Sequence, residues 1–333
     1  VIINNLSIAQ LFKCLVSAID LVNPIVSGHQ DRVTHFAVEI AKNIKYYDIS
    51  KINDLRIGAL LHDIGAIPLD TKTKKDLYEF DVKNPFKHSV IGSEFMKLFG
   101  QFSHLSEIVL HHHTFWENGK CFEKYSEIPE EAFIIHLADR IDILLQGDCP
   151  PDSILSIVKK GSGQIFKPEH VEAFESAMSD ESFWEIADQV EDSSASLCEN
   201  AASDDIEVFI KFISQVIDYK SRFTASHSRG VSTVAKEIAG IMELPEDEQQ
   251  ILKYAGLLHD IGKLAVPVEI IEKPGALSDD EKEVMNSHPL YTKEVLRHLK
   301  GQTTLINAAT YHHEKLNGTG YPKQLKAHVL VAA

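Results

Sequence analysis

The chain has 333 residues, 44% of them hydrophobic, and a formal net charge of −16. That length gives two domains of ordinary size, and the acidity excludes a nucleic-acid polymer as partner, because a phosphate backbone needs a basic footprint. A small anionic ligand stays admissible where metal ions supply positive charge locally. In chain order, Ile8, Leu11, Phe12, Leu15 and Ile19 share one helix face. His29 opens the next helix, and Val33, Phe36, Ala37 and Ile40 continue its face, so the histidine extends a buried stripe. His62-Asp63, His88 and His111-His112 follow. Gly161 to Glu169 leads into a short helix through Phe174. An acidic helix from Asp180 to Val190 and a Ser-, Ala- and acid-rich stretch from Asp192 to Asp205 read as the linker.

The second half repeats the first. Ile206, Phe209, Ile210, Ile213 and Ile217 return the opening face 198 residues later. His227, Val231, Val234, Ala235 and Ile238 answer the His29 helix, again as a buried stripe, at 227 − 29 = 198. Pro245 with Glu246 and Asp247 is a good helix start, and Ile251, Ala255 and His259 share a face. Ser278 and Glu281 have capping-box spacing ahead of the helix that leads to His288. His259-Asp260 answers His62-Asp63 at an offset of 197, His288 answers His88 at 200, and His312-His313 is paired with His111-His112 at 201. A near-constant offset over so many features means two copies of one domain. No run of alternating strands interrupts them. The expected fold is all-α: a helical bundle over residues 1–178, an acidic helix and linker over 179–205, and a second bundle over 206–333.

For a single histidine on an apolar stripe, a core residue with satisfied nitrogens is the ordinary reading. Five at matching places in two copies argue otherwise, since buried imidazoles need partners and metal ions are efficient ones. Ligation by His and Asp without thiolate suits Fe, Mn, Ni, Co or Zn. In His259-Asp260-Ile261-Gly262-Lys263, the carboxylate has two oxygens and can bridge two ions, the glycine lets the chain turn, and the lysine is left as a mobile cation that suits a phosphate. Cys14, Cys121, Cys149 and Cys198 have neither metal nor redox spacing and read as reduced thiols of a cytoplasmic protein. No signal peptide and no bilayer-spanning apolar run is present, which leaves an anchor outside this sequence open.

His259-Asp260, His288, His312-His313 and the loop Gly318-Thr319-Gly320-Tyr321-Pro322 together resemble the HD-GYP family of HD-domain metal-dependent phosphohydrolases. The resemblance implies a binuclear centre in the second copy, with iron or manganese held by His227, His259, Asp260, His288, His312 and His313. Asp260 and Lys263 would be catalytic, Lys263 meeting a phosphate oxygen. Residues 318–322 would contact substrate or partner. Some relatives bind a third metal through a glutamate four residues before the first histidine; Phe223 stands there, so two ions are expected. In the first copy His29, His62, Asp63, His88, His111, His112 and Asp139 fill the ligand positions, but Ala66 replaces the lysine, Ser89 replaces Pro289, His113 replaces Glu314, and Glu117 to Ile128 contains no such loop. A degenerate, inactive copy is expected, with metal binding and a purely regulatory role both open. The family's Ala-Asp pair is Ala138-Asp139 in the first copy. Ala327 to Ala333 matches Ala132 to Ala138 at 327 − 132 = 195, so about six residues are expected to be missing after the loop, and the second centre as given lacks its last ligand.

The implied reaction is hydrolysis of a cyclic dinucleotide, with cyclic di-GMP to pGpG or GMP as first choice, in bacterial second-messenger signalling. A cyclic GMP-AMP substrate, a general nucleotidase acting on dNTPs or alarmones, and a non-catalytic sensor or scaffold are the alternatives. GGDEF-type cyclase proteins as partners and a homodimer are implied in the same way.

Overall fold

The computed structural model describes residues 6–21, 28–45, 47–69, 86–117, 128–185, 203–220 and 227–327. Among them the protein is helical, with two isolated bridges and no strand, and no helix is long and apolar enough to cross a membrane. Phe223, residues 186–202 of the expected linker, and residues 328–333 lie outside the described set.

The chain divides into a unit of residues 24–193 and a unit made of residues 1–23 with 194–333. The first contains α2 (His29–Asn43), α3 (Ile52–Leu61), α4 (Phe86–Leu98), α5 (Ser106–His111), α6 (Glu130–Gln146), α7 (Pro151–Lys160) and α8 (Pro168–Ala177). α2 packs on α3, α6 and α8, which leaves Val33, Phe36, Ala37 and Ile40 fully buried. The second contains α1 (Ile8–Asp20), α9 (Ser203–Tyr219), α10 (His227–Ile241), α11 (Glu246–Leu258), α12 (Val268–Ile271), α13 (Asp279–Asn286), α14 (His288–Leu296) and α15 (Thr303–Thr310). The expected capping box is present at Ser278 and Glu281.

Three features differ from the sequence reading. First, α1 packs with the second copy instead of completing a unit over 1–178. Its stripe of Leu11, Phe12 and Leu15 is buried, Phe12 stacks on Phe209 with centroids 6.1 Å apart, and the helix also touches α14 and the turn at 261–265. Each such buried side chain contributes about 1.5–3 kcal/mol, so the apolar stripe is satisfied by the matching stripe of α9. Second, the segment after Asp180 begins as a short 3-10 turn, Glu181–Phe183, and not as a solvated acidic helix. Phe183 is buried and stacks on Phe36 at 5.1 Å, and that aromatic contact outweighs the acidity of its neighbours. Third, the stripe of α10 is not buried: Val234 is 53% and Ile238 52% exposed. In the first copy α6 and α8 cover this face; among the described residues the second copy has no counterpart.

Two candidate metal centres

In each copy one carboxylate stands between two groups of imidazoles. Asp63 follows α3 directly, and its Oδ2 lies 3.5 Å from His62 Nε2 and 3.8 Å from His29 Nε2. Its Oδ1 lies 3.3 Å from His88 Nε2 and 3.9 Å from His112 Nε2. Asp260 repeats this after α11. Its Oδ2 is 3.1 Å from His259 Nε2 and 3.6 Å from His227 Nε2, and its Oδ1 is 3.5 Å from His288 Nε2 and 4.0 Å from His312 Nε2. One oxygen faces each subsite, as a bridging carboxylate requires.

Backbone carbonyls set the tautomers. Nδ1 of His259 donates to Gly256 O at 2.9 Å, His288 to Met285 O at 2.7 Å and His312 to Ala309 O at 2.8 Å. In the first copy His62 donates to Ala59 O at 2.7 Å and His112 to Val109 O at 2.6 Å. A carbonyl can only accept, so Nδ1 carries the proton and Nε2 keeps its lone pair for the centre. Each histidine sits at or just beyond a helix end, where the carbonyl three residues back is open.

The polar atoms left over fit divalent ions. Buried Asp260 Oδ1 and His62 Nε2 find no hydrogen-bond partner among the described residues. Nε2 of His88 lies 3.0 Å from that of His112 and 3.2 Å from that of His113, a convergence of acceptors that a shared cation relieves. Ligand atoms lie within 4.8 Å of one another in each of four sets: His29, His62 and Asp139; Asp63, His88, His112 and His113; His227, His259 and Asp260; His288, His312 and His313. Burial, aided by His88 and His62, drives the pKa of His112 well below 6.5. Burial, then His259 and His313, lowers His312 to about 3, and burial lowers His288 to about 4. These imidazoles are therefore neutral, as ligands must be. Burial pushes the Asp260 carboxyl up, but His259 and Lys263 outweigh it and hold it ionised. His62, His88 and His29 do the same for Asp63.

The first centre corrects the expected ligand set. His111 turns away, with Nδ1 3.2 Å from Thr114 Oγ1 and Nε2 3.5 Å from Glu107, and His113 takes its place. The offset of 200 that joins His88 to His288 also joins His112-His113 to His312-His313 (312 − 112 = 200), so the pairing at 201 was one residue out of register and Thr114, not His113, aligns with Glu314. Asp139 is in place, its Oδ1 3.4 Å from His29 Nε2. Two further residues were not anticipated. Asp142 accepts from His29 Nδ1 at 2.7 Å and from Arg32 Nε at 2.6 Å, which orients the ligand from behind. Arg140, buried, donates to Asp139 Oδ2 at 2.6 Å.

The second centre carries what the first lacks. Lys263 Nζ donates to Asp260 Oδ2 at 2.6 Å. The loop at 318–322 is built on Glu314, whose carboxylate accepts from Lys323 N at 2.6 Å and Leu325 N at 2.8 Å. Gly320 crosses so close that a Cβ would lie 2.5 Å from Glu314 Cα. This brings Tyr321 onto His313, ring centroids 4.6 Å apart and 23° from parallel. Thr114 has no carboxylate to organise such a loop.

Residues 26–144 match an HD-domain family model, and residues 211–331 match a second HD-domain model. The chain belongs to the HD-domain family. It carries the domain in tandem, and its relatives share that arrangement to different extents. The chain is 27% identical to 3′3′-cGAMP-specific phosphodiesterase 1 of Vibrio cholerae serotype O1, over 97% of this chain and 78% of that protein. Similarity to 3′3′-cGAMP-specific phosphodiesterase 3 of the same organism is 39%, over 35% of this chain and 26% of that protein. A cyclic di-GMP phosphodiesterase response regulator of Xanthomonas campestris is 36% identical over 34% of this chain and 30% of its own length. The crystal structure of the V. cholerae cyclic GMP-AMP-specific phosphodiesterase V-cGAP3 has the same fold, with a TM-score of 0.69 over 91% of this chain and 86% of that one at 19% identity.

Proposed function

We propose that the second HD domain is a metal-dependent cyclic dinucleotide phosphodiesterase acting in the cytoplasm, with 3′3′-cGAMP as its first substrate and cyclic di-GMP as the second reading. The observation that carries the reaction class is the placement of Asp260, one oxygen toward each imidazole group, with Lys263 alongside. The substrate order reverses the one read from sequence. The relative that spans both copies is named for 3′3′-cGAMP, whereas the cyclic di-GMP relative above covers about a third of this chain.

His227, His259, Asp260, His288, His312 and His313 would hold two divalent ions, iron or manganese by the resemblance. Such a pair supplies Lewis acidity and an activated water for in-line attack at phosphorus. The residues do the rest. Asp260 fixes the spacing between the two subsites. Lys263 can pass from Asp260 to a non-bridging phosphate oxygen and balance its charge as it builds. The Tyr321–His313 stack closes one wall with a flat face of the size a base or ribose needs. In the first domain His29, His62, Asp63, His88, His112, His113 and Asp139 would hold ions without turnover.

The test is turnover of a cyclic dinucleotide panel by metal-loaded protein, with metal quantified. Linear dinucleotide from 3′3′-cGAMP, abolished in His259→Ala, is the expected result. Metal bound with no product from any member of the panel would end the enzymatic reading and favour a sensor.

A further inference from the structure

The turn that follows Asp260, residues Ile261–Ala265, is a 3-10 segment that presents Lys263. In both copies this turn crosses the following ligand-bearing helix with no space between backbones. A Cβ on Gly262 would lie 2.0 Å from His288 O, and one on Gly65 would lie 2.0 Å from His88 O. The crossing is shared. The side chains that grip it are not.

In the second copy two buried residues bond directly to the backbone of the turn. Thr292, fully buried on α14, receives the amide of Gly262 at 3.1 Å and donates its hydroxyl to His259 O at 2.8 Å. Lys220, 4% exposed just beyond α9, donates Nζ to Lys263 O at 3.0 Å and to Leu264 O at 2.6 Å. Lys263 O also receives the amide of Val266 at 3.0 Å. The turn is thus held on one side through residues 259 and 262 and on the other through 263 and 264. In the first copy the residue aligned with Thr292 is Gly92, the residue aligned with Lys220 at the offset of 198 is Val22, outside the described residues, and the residue aligned with Lys263 is Ala66. The copy without the lysine to be presented also lacks both side chains that would steady its turn.

We propose that Lys220 and Thr292 are positioning residues that clamp the 261–265 turn so that Lys263 meets the scissile phosphate in one geometry, an inference that rests on the phosphodiesterase reading above. A buried ammonium is costly unless its donors are satisfied, and a threonine is bulkier than the glycine its counterpart uses at the same tight crossing. Both are retained only where a cation must be aimed. Stability alone is a poor account of this pattern, because the first copy makes the same crossing without either group. A misplacement near 1 Å at a reacting group can cost on the order of 10²-fold in rate, so the clamp acts on kcat and not on metal content.

The experiment uses the full chain. Thr292→Val keeps the shape and removes both hydrogen bonds; Thr292→Ser restores them; Lys220→Met removes the ammonium, and Lys220→Arg keeps a donor. Three readouts are taken: metal content, hydrogen exchange of the amides at 262–266, and kcat and KM for 3′3′-cGAMP. Thr292→Val and Lys220→Met are expected to keep their metal, to speed exchange at 262–266 while 65–69 of the first copy stays unchanged, and to lose kcat by about tenfold to 10²-fold with KM little altered. Thr292→Ser is expected to recover the rate. Faster exchange with full turnover would make the clamp a packing feature only, and unchanged exchange in Thr292→Val would remove the clamp itself. Should Lys220→Met fail to fold, the threonine pair decides alone. Absence of turnover in the unmodified protein would strike the phosphodiesterase reading first, and the exchange result would still accept or reject the clamp.

Discussion

The two centres of this chain are built on one plan and differ in who can reach them. In the first, every proposed ligand is buried, from His62 at 0% to His113 at 5% exposed, and each subsite has four protein groups. In the second, each set has three groups, and His227 has 45% of its side chain exposed. Closed sites with a full complement of protein donors are structural, and sites that leave a position open are catalytic. The first copy thus shows a full ligand set separated from the two devices that handle substrate, the lysine and the aromatic loop. Loss of activity in a repeated domain does not require loss of its ligands.

The widest gap between the copies is expected from their bridging carboxylates. Asp260→Ala should remove the metal of the second domain and abolish turnover; His259→Ala should abolish turnover as well, while His62→Ala leaves most of it. Equal losses from His62→Ala and His259→Ala, by steady-state assay with metal quantification, would break the division of labour. Next comes Lys263→Ala, which should keep fold and metal yet lose about 10²–10³-fold in turnover, typical of one lost electrostatic donor. Ala66→Lys should not revive the first copy, which lacks the loop. Smaller again is the effect of Asp142→Asn behind His29. Outer-shell changes cost about 10–100-fold in metal affinity, so this variant should weaken metal at the first centre only. His113→Ala should weaken it too, and His111→Ala should not. Metal content read against competing chelator separates these three.

The smallest expected effect concerns pH. Glu130 accepts from His170 at 3.1 Å and from Lys167 at 2.5 Å; these bonds, His170 first, lower its pKa from 4.5 to about 2. Burial keeps His170 neutral, so it donates Nε2–H to the carboxylate. A depressed carboxyl stabilises the fold above its unfolded pKa, and that stability is lost as the pH falls from about 4.5 toward about 2. Glu130→Gln should flatten this part of the acid limb in the melting temperature of the first domain. A limb of unchanged steepness would assign the interaction no role there.

Much of this was legible in the sequence because metal ligands must recur at fixed places on helices whose apolar period is plain. His259-Asp260, the doubled histidines and the capping box at Ser278 needed only spacing. What escaped was set by geometry without period. His111 and His113 flank the same pair, and only the rotation of the helix end decides which faces Asp63. Arg140 and Asp142 look like ordinary polar residues of an amphipathic helix until α6 is seen to bury them. Thr292 and Lys220 act on backbone atoms of a distant turn, a contact that leaves no mark on local composition. α1 was placed with its neighbours in sequence, although its apolar stripe fits either copy and packing alone chose the second.

That choice bears on how the protein is made. α1 leaves the ribosome well before α9, the helix its Phe12 stacks against, with 203 − 20 = 183 positions from the end of one to the start of the other. At about 5–20 residues per second, an apolar helix waits on the order of ten seconds or more for its surface, while the whole of the first HD domain is synthesised between them. The long tether costs little in closure entropy, which grows only logarithmically with length, but the wait leaves Leu11, Phe12 and Leu15 open to chaperones and to wrong partners. The second domain can therefore be complete only after the first has been synthesised, and a fragment starting at residue 194 would lack the helix that covers Phe209.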